Sequence, residues 1–300
     1  MPSNLHILSI APEDEGLRLD IFVSKKLNIS RSEAKKIIEQ KAVITSLNYA
    51  LKSSTIVFKD LKLFYKPAVF HIDEEIMPKT SIPLIYENND FLIINKPAGL
   101  AVHKTHAKDT QPTVAAWLIQ NKFFTDDPHD DLRSGIVHRI DKDTSGLLIL
   151  ARNYTTQKIF ISLFASRNIH KEYLACVMGI PPAQGTIDYK IIRNPFDPTR
   201  MTYSRSQGRE ACTHFTLLRS NNQMSLVSCR PITGRTHQLR VHFAALGHAL
   251  VGDSTYGKSS PLIRRHALHA HKLAFAYEGA TYQFNVPMPP DMDLLFKNCC

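Results

Sequence analysis

The sequence predicts an α+β protein: a large domain built on a mixed or antiparallel sheet, preceded by a small basic module of two short helices and short strands. Three observations carry this reading. From residue 82 onward, apolar strand-like segments such as FLIINK, GLLILAR, KEYLACVMG and SLVSCR alternate with turns and helices, but the helices are not spaced regularly enough to demand a parallel sheet. A stretch bearing three prolines and no sustained periodicity, KPAVFHIDEEIMPKTSIP at 66–83, divides the chain and reads as a linker. With 300 residues, 43% of them hydrophobic, the chain can fill one large core and one small one. The expected boundaries are a module at 16–66, a linker at 67–81, a large domain at 82–292 and a tail at 293–300.

In the front module, Leu19, Phe22, Val23 and Leu27 recur at helical spacing. SRSE at 30–33 fits a capping box, with Ser30 capping the next helix while Glu33 reaches back, and Ala34, Ile37 and Ile38 supply that helix with an apolar face. AVIT at 42–45 and STIVF at 54–58 are expected to be short strands. Lys25, Lys26, Arg31, Lys35, Lys36 and Lys41 outnumber Glu33 and Glu39 here, a pattern that suits docking onto an RNA backbone and equally describes a solvated face. The whole chain leans the same way: 37 Lys and Arg against 27 acids give +10, which favours a polyanion, RNA or DNA ahead of a membrane surface.

In the large domain, FLIINKPAGLAVH at 91–103 runs from a strand into a Pro-Ala-Gly turn. GLLILAR at 146–152 is a buried strand, followed by Asn153 as a cap and a helix carrying Ile159, Phe160, Leu163 and Phe164 on one side. KEYLACVMG returns as a strand. SLVSCR leads through PITG into RTHQLRVHFAALG, a helix with Leu239, Phe243 and Leu246 on one face and Gly247 ending it. Five scattered cysteines form no CxxC pair, so neither a zinc ribbon nor a disulfide framework is supported. No signal peptide is visible at the start, and no apolar run approaches the ~20 residues of a membrane span. A cytoplasmic protein with an ordinary tail is expected.

The charged stretch RIDKDTSG at 139–146 reads as a tight loop feeding a buried strand, with Asp143 and Thr144 as turn-builders. Asp141 has the odd position between Arg139 and Lys142: a carboxylate so placed is a nucleophile, a base, or one half of a structural ion pair. TGRTHQLRVH at 233–242 puts Arg235 at a helix start and Arg240 one turn on, where either can hold a phosphate, pair with a carboxylate or lie on the surface. Arg235 gains nothing from the positive end of a helix dipole, which hints at a partner anion. His266, His269 and His271, with His237 and His242 upstream, raise a metal reading, but HALHAHKLAFAY fits a strand with histidines on mixed faces better than a convergent ligand set.

These same residues resemble a known family. HRIDKDTSGLLILAR is similar to the signature of the RluA-type pseudouridine synthases, departing only by Ile140 for Leu; YENNDFLIINKPAGLAVH, KEY and TGRTHQLRVHFAALGHALVGDSTYG match three further family motifs in order, and LHAHKLAFAY and VPMPPDM resemble its closing segments. The front module resembles the S-four (alpha-L) RNA-binding module through RLD at 18–20 and SRSEAKKIIEQKAV at 30–43, with Lys41 where that pattern has glycine. The resemblance implies an isomerase that breaks the N1–C1′ bond of uridine, turns the uracil and joins C5 to C1′. Nothing is gained or lost in that reaction, so no cofactor or metal is expected. By motif position Asp141 is the catalytic carboxylate, attacking C1′ or removing the C2′ proton. Arg235 is expected to pair with it, and Tyr173 to lie against the uracil. Arg139 is expected to fill the space of the flipped base, and Lys142, Thr144, Gln238, Arg240, Arg31 and Lys35 to contact RNA. The partner expected is large-subunit ribosomal RNA, with transfer RNA or a non-catalytic assembly role as alternatives, for a monomer with no membrane attachment.

Overall fold

The computed structural model describes residues 6–27, 29–39, 41–45, 51–65, 81–104, 111–126 and 133–297, and the chain divides into two compact units, Met1–His71 and Ile72–Cys300. The expected linker falls almost wholly outside the described residues.

In the first unit, strands β1 (His6–Leu8) and β2 (Val43–Thr45) flank β3 (Leu63–Tyr65) in an antiparallel sheet, beside helices α1 (Leu19–Leu27) and α2 (Arg31–Glu39). The helical spacing holds: Leu19, Phe22, Val23, Ala34, Ile37 and Ile38 are all buried in one core with Val57 and Leu63. Helix α2 begins one residue after Ser30; the Glu33 side chain lies outside the described residues. The strand expected at 54–58 is not one. A turn closes from Thr55 to the Lys52 carbonyl, and the carbonyls of Thr55 and Ser53 accept the first free N–H groups of α1, at Leu19 and Asp20. Those carbonyls are committed to capping a helix start, so the segment makes one bridge, Arg18 to Ile56, instead of a ladder. Lys41, where the resembled module has glycine, takes a left-handed φ of 60°.

Two buried acids fasten this unit. Asp14 receives Lys25 at 2.9 Å and Lys26 at 2.7 Å; Asp20 receives Arg18 and Arg31, each at 3.1 Å. Lys26 and Lys25 hold the Asp14 carboxyl far below its ordinary range. Arg18 first, then Arg31, lower that of Asp20 against the opposing effect of burial.

The described residues of the second unit build a nine-stranded mixed sheet. Its strands are β4 (Leu84–Glu87), β5 (Phe91–Lys96), β6 (Ser145–Ala151), β7 (His170–Met178), β8 (Gln184–Ile187), β11 (Thr213–Ser220), β12 (Met224–Pro231), β13 (Leu268–Tyr277) and β14 (Ala280–Asn285). Their order is β4-β5-β6-β13-β7-β12-β11-β8, with β14 also on β13. Every pairing is antiparallel except β13 with β6. A separate hairpin joins β9 (Lys190–Arg193) to β10 (Met201–Ser204). Helices α3 (Val114–Gln120), α4 (Tyr154–Ala165), α5 (Gln238–Ala245) and α6 (Pro290–Lys297) complete the unit. Among the described residues no helix is long and apolar enough to cross a membrane.

Strand β6 is buried along its whole length, as a continuous apolar run should be in a central strand. Its second residue is Gly146, whose φ is +113° and where an added Cβ would sit 2.2 Å from the Ala270 carbonyl oxygen of β13, so only glycine lets these two strands meet. Asn153 caps α4 by accepting from the Thr156 amide at 2.8 Å. Phe160, Leu163 and Phe164 pack inward from α4, whereas Ile159, expected on that face, is exposed. Helix α6 runs through residues expected to be tail, because Met292 and Leu295 bury against Leu174, Cys176 and Leu226.

Candidate active site

The loop between Arg139 and Thr144 is tied down from three sides. The Thr144 amide closes a turn onto the Asp141 carbonyl at 3.1 Å. Beneath it, the fully buried Lys96 at the end of β5 donates from Nζ to the carbonyls of Pro97, Leu100 and Lys142 at 2.7, 2.8 and 2.9 Å. Burial pulls the Lys96 ammonium down from 10.5 to about 7, with Asp143 and Asp141 opposing. From β13's approach, Arg265 donates to the Asp143 carbonyl at 3.2 Å while held bidentately by Asp291. The Asp141 side chain is thus delivered by a loop whose backbone cannot drift.

Asp141 lines a cavity of about 470 Å³, together with Arg139, Thr144, Lys171, Tyr173, Arg235, His237, Gln238 and Arg240. The cation that meets it is not the expected one. Arg240 Nη1 donates to Asp141 Oδ2 at 3.2 Å, while Arg235 Nε donates to the Glu210 carbonyl at 2.9 Å. The reason lies in helix phase. Arg235 precedes α5, with its backbone N–H bound by the Gln238 side chain, whereas Arg240 lies inside the helix on a buried side. Arg235 therefore lines the cavity without pairing Asp141, near the like charges of Arg209 and Arg167, which with burial lower its pKa.

Arg240 is gripped from behind. Its Nε and Nη2 donate to the two oxygens of the buried Asp253 at 2.7 and 3.0 Å, and its guanidinium lies 5.0 Å from the Tyr256 ring centroid. Burial works against the Arg240 charge, but Asp253 outweighs it and keeps the group protonated above its ordinary range; reciprocally, Arg240 holds Asp253 below its range despite burial. One guanidinium edge is spent on a structural carboxylate, and the remaining nitrogen aims Asp141.

Tyr173, on β7, is half-buried in the same cavity, and burial followed by the Asp141 charge pushes its phenol pKa upward. Arg139 is exposed at the cavity rim, 3.4 Å from His103 Nε2. Lys142 is exposed and donates to Gln111 Oε1 at 2.6 Å. Three further residues expected on RNA are held by protein partners. The Thr144 hydroxyl bonds His266 Nε2 at 2.8 Å. Gln238 spends its amide on Thr233, Arg235, Cys212 and Thr213, and Arg240 is committed as described. All three are buried, and all three line the cavity beside Asp141. In the first unit, Arg31 and Lys35 are exposed and border a cleft with Arg18, Asp20 and Ser53.

The histidines are dispersed into structural bonds: besides His266, His269 Nδ1 meets the Ser145 hydroxyl and His271 Nδ1 the Val286 carbonyl. Residues that the reading from sequence left without roles include Lys96, Asp253, Tyr256 and His237. Asp253 had a local signal, since its Oδ1 accepts from the amides of Thr255 and Tyr256, an Asx-type turn within GDSTYG.

A carboxylate aimed by an arginine into a cation-rimmed cavity, with a tyrosine in the same wall, is fit for nucleophilic or acid–base chemistry on an anionic substrate. Residues 90–245 match the family described as RNA pseudouridylate synthase. A Zymomonas mobilis protein named ribosomal large subunit pseudouridine synthase D is 33% identical, the match covering 97% of this chain and 96% of that one. A Xanthomonas campestris protein of the same name is 37% identical over 72% of this chain and 69% of its own length. Among solved structures, human RNA pseudouridylate synthase domain containing 1 aligns with a TM-score of 0.59 and 30% identity, covering 72% of this chain and 89% of that one. The chain belongs to the RNA pseudouridylate synthase family. It is an isomerase, converting uridine in RNA to pseudouridine.

Proposed function

We propose that the chain modifies uridine in large-subunit ribosomal RNA, with Asp141 as the catalytic carboxylate. The observation that carries the assignment is the Asp141–Arg240 contact inside the cavity, backed by Asp253. Asp141 either attacks C1′ as the N1–C1′ bond breaks or takes the C2′ proton to give a glycal; in both routes the uracil is freed, turns, and rejoins through C5. Arg240 orients the carboxylate. Tyr173, with its phenol kept neutral by burial, lies against the uracil and assists proton transfer from C5. The target base leaves its stack at a cost of a few kcal/mol, and Arg139 at the rim occupies the space it vacates. Arg235, Lys142, Arg31 and Lys35 hold phosphates, so affinity falls with salt. The first unit acts as an alpha-L-type RNA-binding module.

The names of the relatives support the choice of large-subunit RNA. The test is to map pseudouridine chemically in ribosomal and transfer RNA from cells with and without the protein. The expected result is loss of one or a few sites in large-subunit RNA. Loss confined to transfer RNA overturns the substrate, and unchanged maps overturn the reading as a whole.

A further inference from the structure

His237 is the residue whose geometry no step above uses. It sits at the N-terminal boundary of α5 with a left-handed φ of 56°, a conformation that a non-glycine residue keeps only where its surroundings hold it. Its ring lines the same cavity as Asp141. Nδ1 lies 2.7 Å from the Tyr256 hydroxyl, and that oxygen already accepts from the Met201 amide at 2.8 Å. The phenol has one proton. Given to Nδ1, it completes both groups; the reverse arrangement, Nδ1–H donating to the phenol, leaves the phenolic proton with no acceptor among the described residues. The network therefore assigns the tautomer: Nδ1 accepts, and Nε2 carries the hydrogen. Burial lowers the imidazole pKa and favours this neutral form, as do Arg240 and Arg139, with Asp141 and Asp253 acting against them.

Nε2–H points to the space beside Asp141, with Nε2 4.0 Å from Oδ2. That is too long for a direct hydrogen bond, but an oxygen about 2.8 Å from each atom fits between them. Such an oxygen accepts from Nε2–H and donates to the carboxylate, so it must carry a proton of its own. A hydroxyl meets both demands, whereas a carbonyl or phosphate oxygen has no proton to give.

We propose that His237 is a further catalytic residue which, with Asp141, grips the ribose 2′-hydroxyl of the target uridine and so selects RNA over DNA at the reacting nucleotide. This rests on Asp141 acting at C1′ or C2′, since the 2′-hydroxyl is bonded to C2′ and lies two bonds from C1′. In RNA the 2′-hydroxyl is both donor and acceptor and is the group absent from DNA.

The test is a cycle of single-turnover rates, in which the enzyme is wild type, H237A or Y256F and the RNA carries ribose or 2′-deoxyribose at the mapped uridine only. The altered reactivity of the deoxynucleoside is common to all enzymes and cancels in the comparison. Removing the hydroxyl should slow H237A about 10- to 100-fold less than wild type, the worth of one buried hydrogen bond in a charged pair. Y256F, which keeps the imidazole but releases its tautomer, should give an intermediate value and carries the test if H237A folds poorly. H237Q, whose amide can donate from a similar position, should recover part of the discrimination, and dissociation constants for unmodified RNA should stay within about threefold throughout. Equal sensitivity to the hydroxyl in wild type, H237A and Y256F overturns the proposal. A wild-type enzyme that makes no pseudouridine in unmodified RNA instead overturns the reading beneath it.

Discussion

The two units treat their buried carboxylates in opposite ways. In the first, Asp14 and Asp20 each lie beneath a pair of cations from their own unit, and the cations are largely exposed. In the second, the cation is the buried partner: Arg240 spends two nitrogens on Asp253 and offers the third to Asp141, which faces a cavity. Two cations to one acid make a staple, because every oxygen is occupied and charge is neutralised at the surface. One cation shared by two acids leaves the outer acid aimed but unsated. The same residue types thus fasten one unit and arm the other.

The largest expected effect comes from removing the outer acid. D141N should lower single-turnover product formation on the order of 10³-fold or more while RNA affinity and Tm change little. A near-normal rate in that variant would sink the assignment. Removing the shared cation should cost the fold as well: R240M leaves Asp253 buried without its cation, and denaturant unfolding of the second unit should show a loss of about 3–5 kcal/mol. R31A in the first unit strips one exposed cation while Arg18 remains on Asp20, and should cost at most about 1 kcal/mol. If the two variants destabilise equally, the contrast between the units is false.

Acid should separate the units in order. Burial lowers the pKa of His138 from 6.5 to about 3, and those of His266 and His269 to about 4. The folded second unit keeps them neutral while the unfolded chain takes up protons, so its stability declines as pH falls from 6.5 towards 4. The Asp14 and Asp20 pKa values are depressed from 3.8, so their contribution is intact above about pH 4 and is lost only as pH falls further. Fluorescence of Trp117, the single tryptophan and a member of the second unit's core, should therefore report a transition at higher pH than NMR of Ala34 in the first. The reverse order would contradict these shifts.

The smallest effects are local. N153A removes the cap of α4 and should cost about 1 kcal/mol. K41G should stabilise the first unit by about 0.5–1 kcal/mol, since glycine takes the left-handed conformation without strain; destabilisation would mean that the Lys41 side chain has a packing role.

The apolar periodicity of α1, the continuous run of β6, the Asn153 cap and the Gly247 ending of α5 were all legible in the chain, because each depends on neighbours within a turn or a strand. So was the existence of the Asp141 loop. Less visible were features set by distant partners. Residues 54–58 have a strand's composition, yet the Thr55 carbonyl, with that of Ser53 before it, goes to the start of a helix more than 30 residues earlier. Lys96 looks like a surface lysine until the loop at Pro97–Leu100 and the turn at Lys142 close over it. Arg235 and Arg240 are chemically equivalent on paper. Which one meets Asp141, 99 residues away, follows from the phase of α5 against the sheet and from Asp253 waiting behind it. Sequence by itself determined the parts and the chemistry available to them, since propensity, capping and motif spacing act locally. Tertiary structure alone decided who pairs with whom, since hydrogen-bond geometry and burial depend on distances that only the closed fold creates.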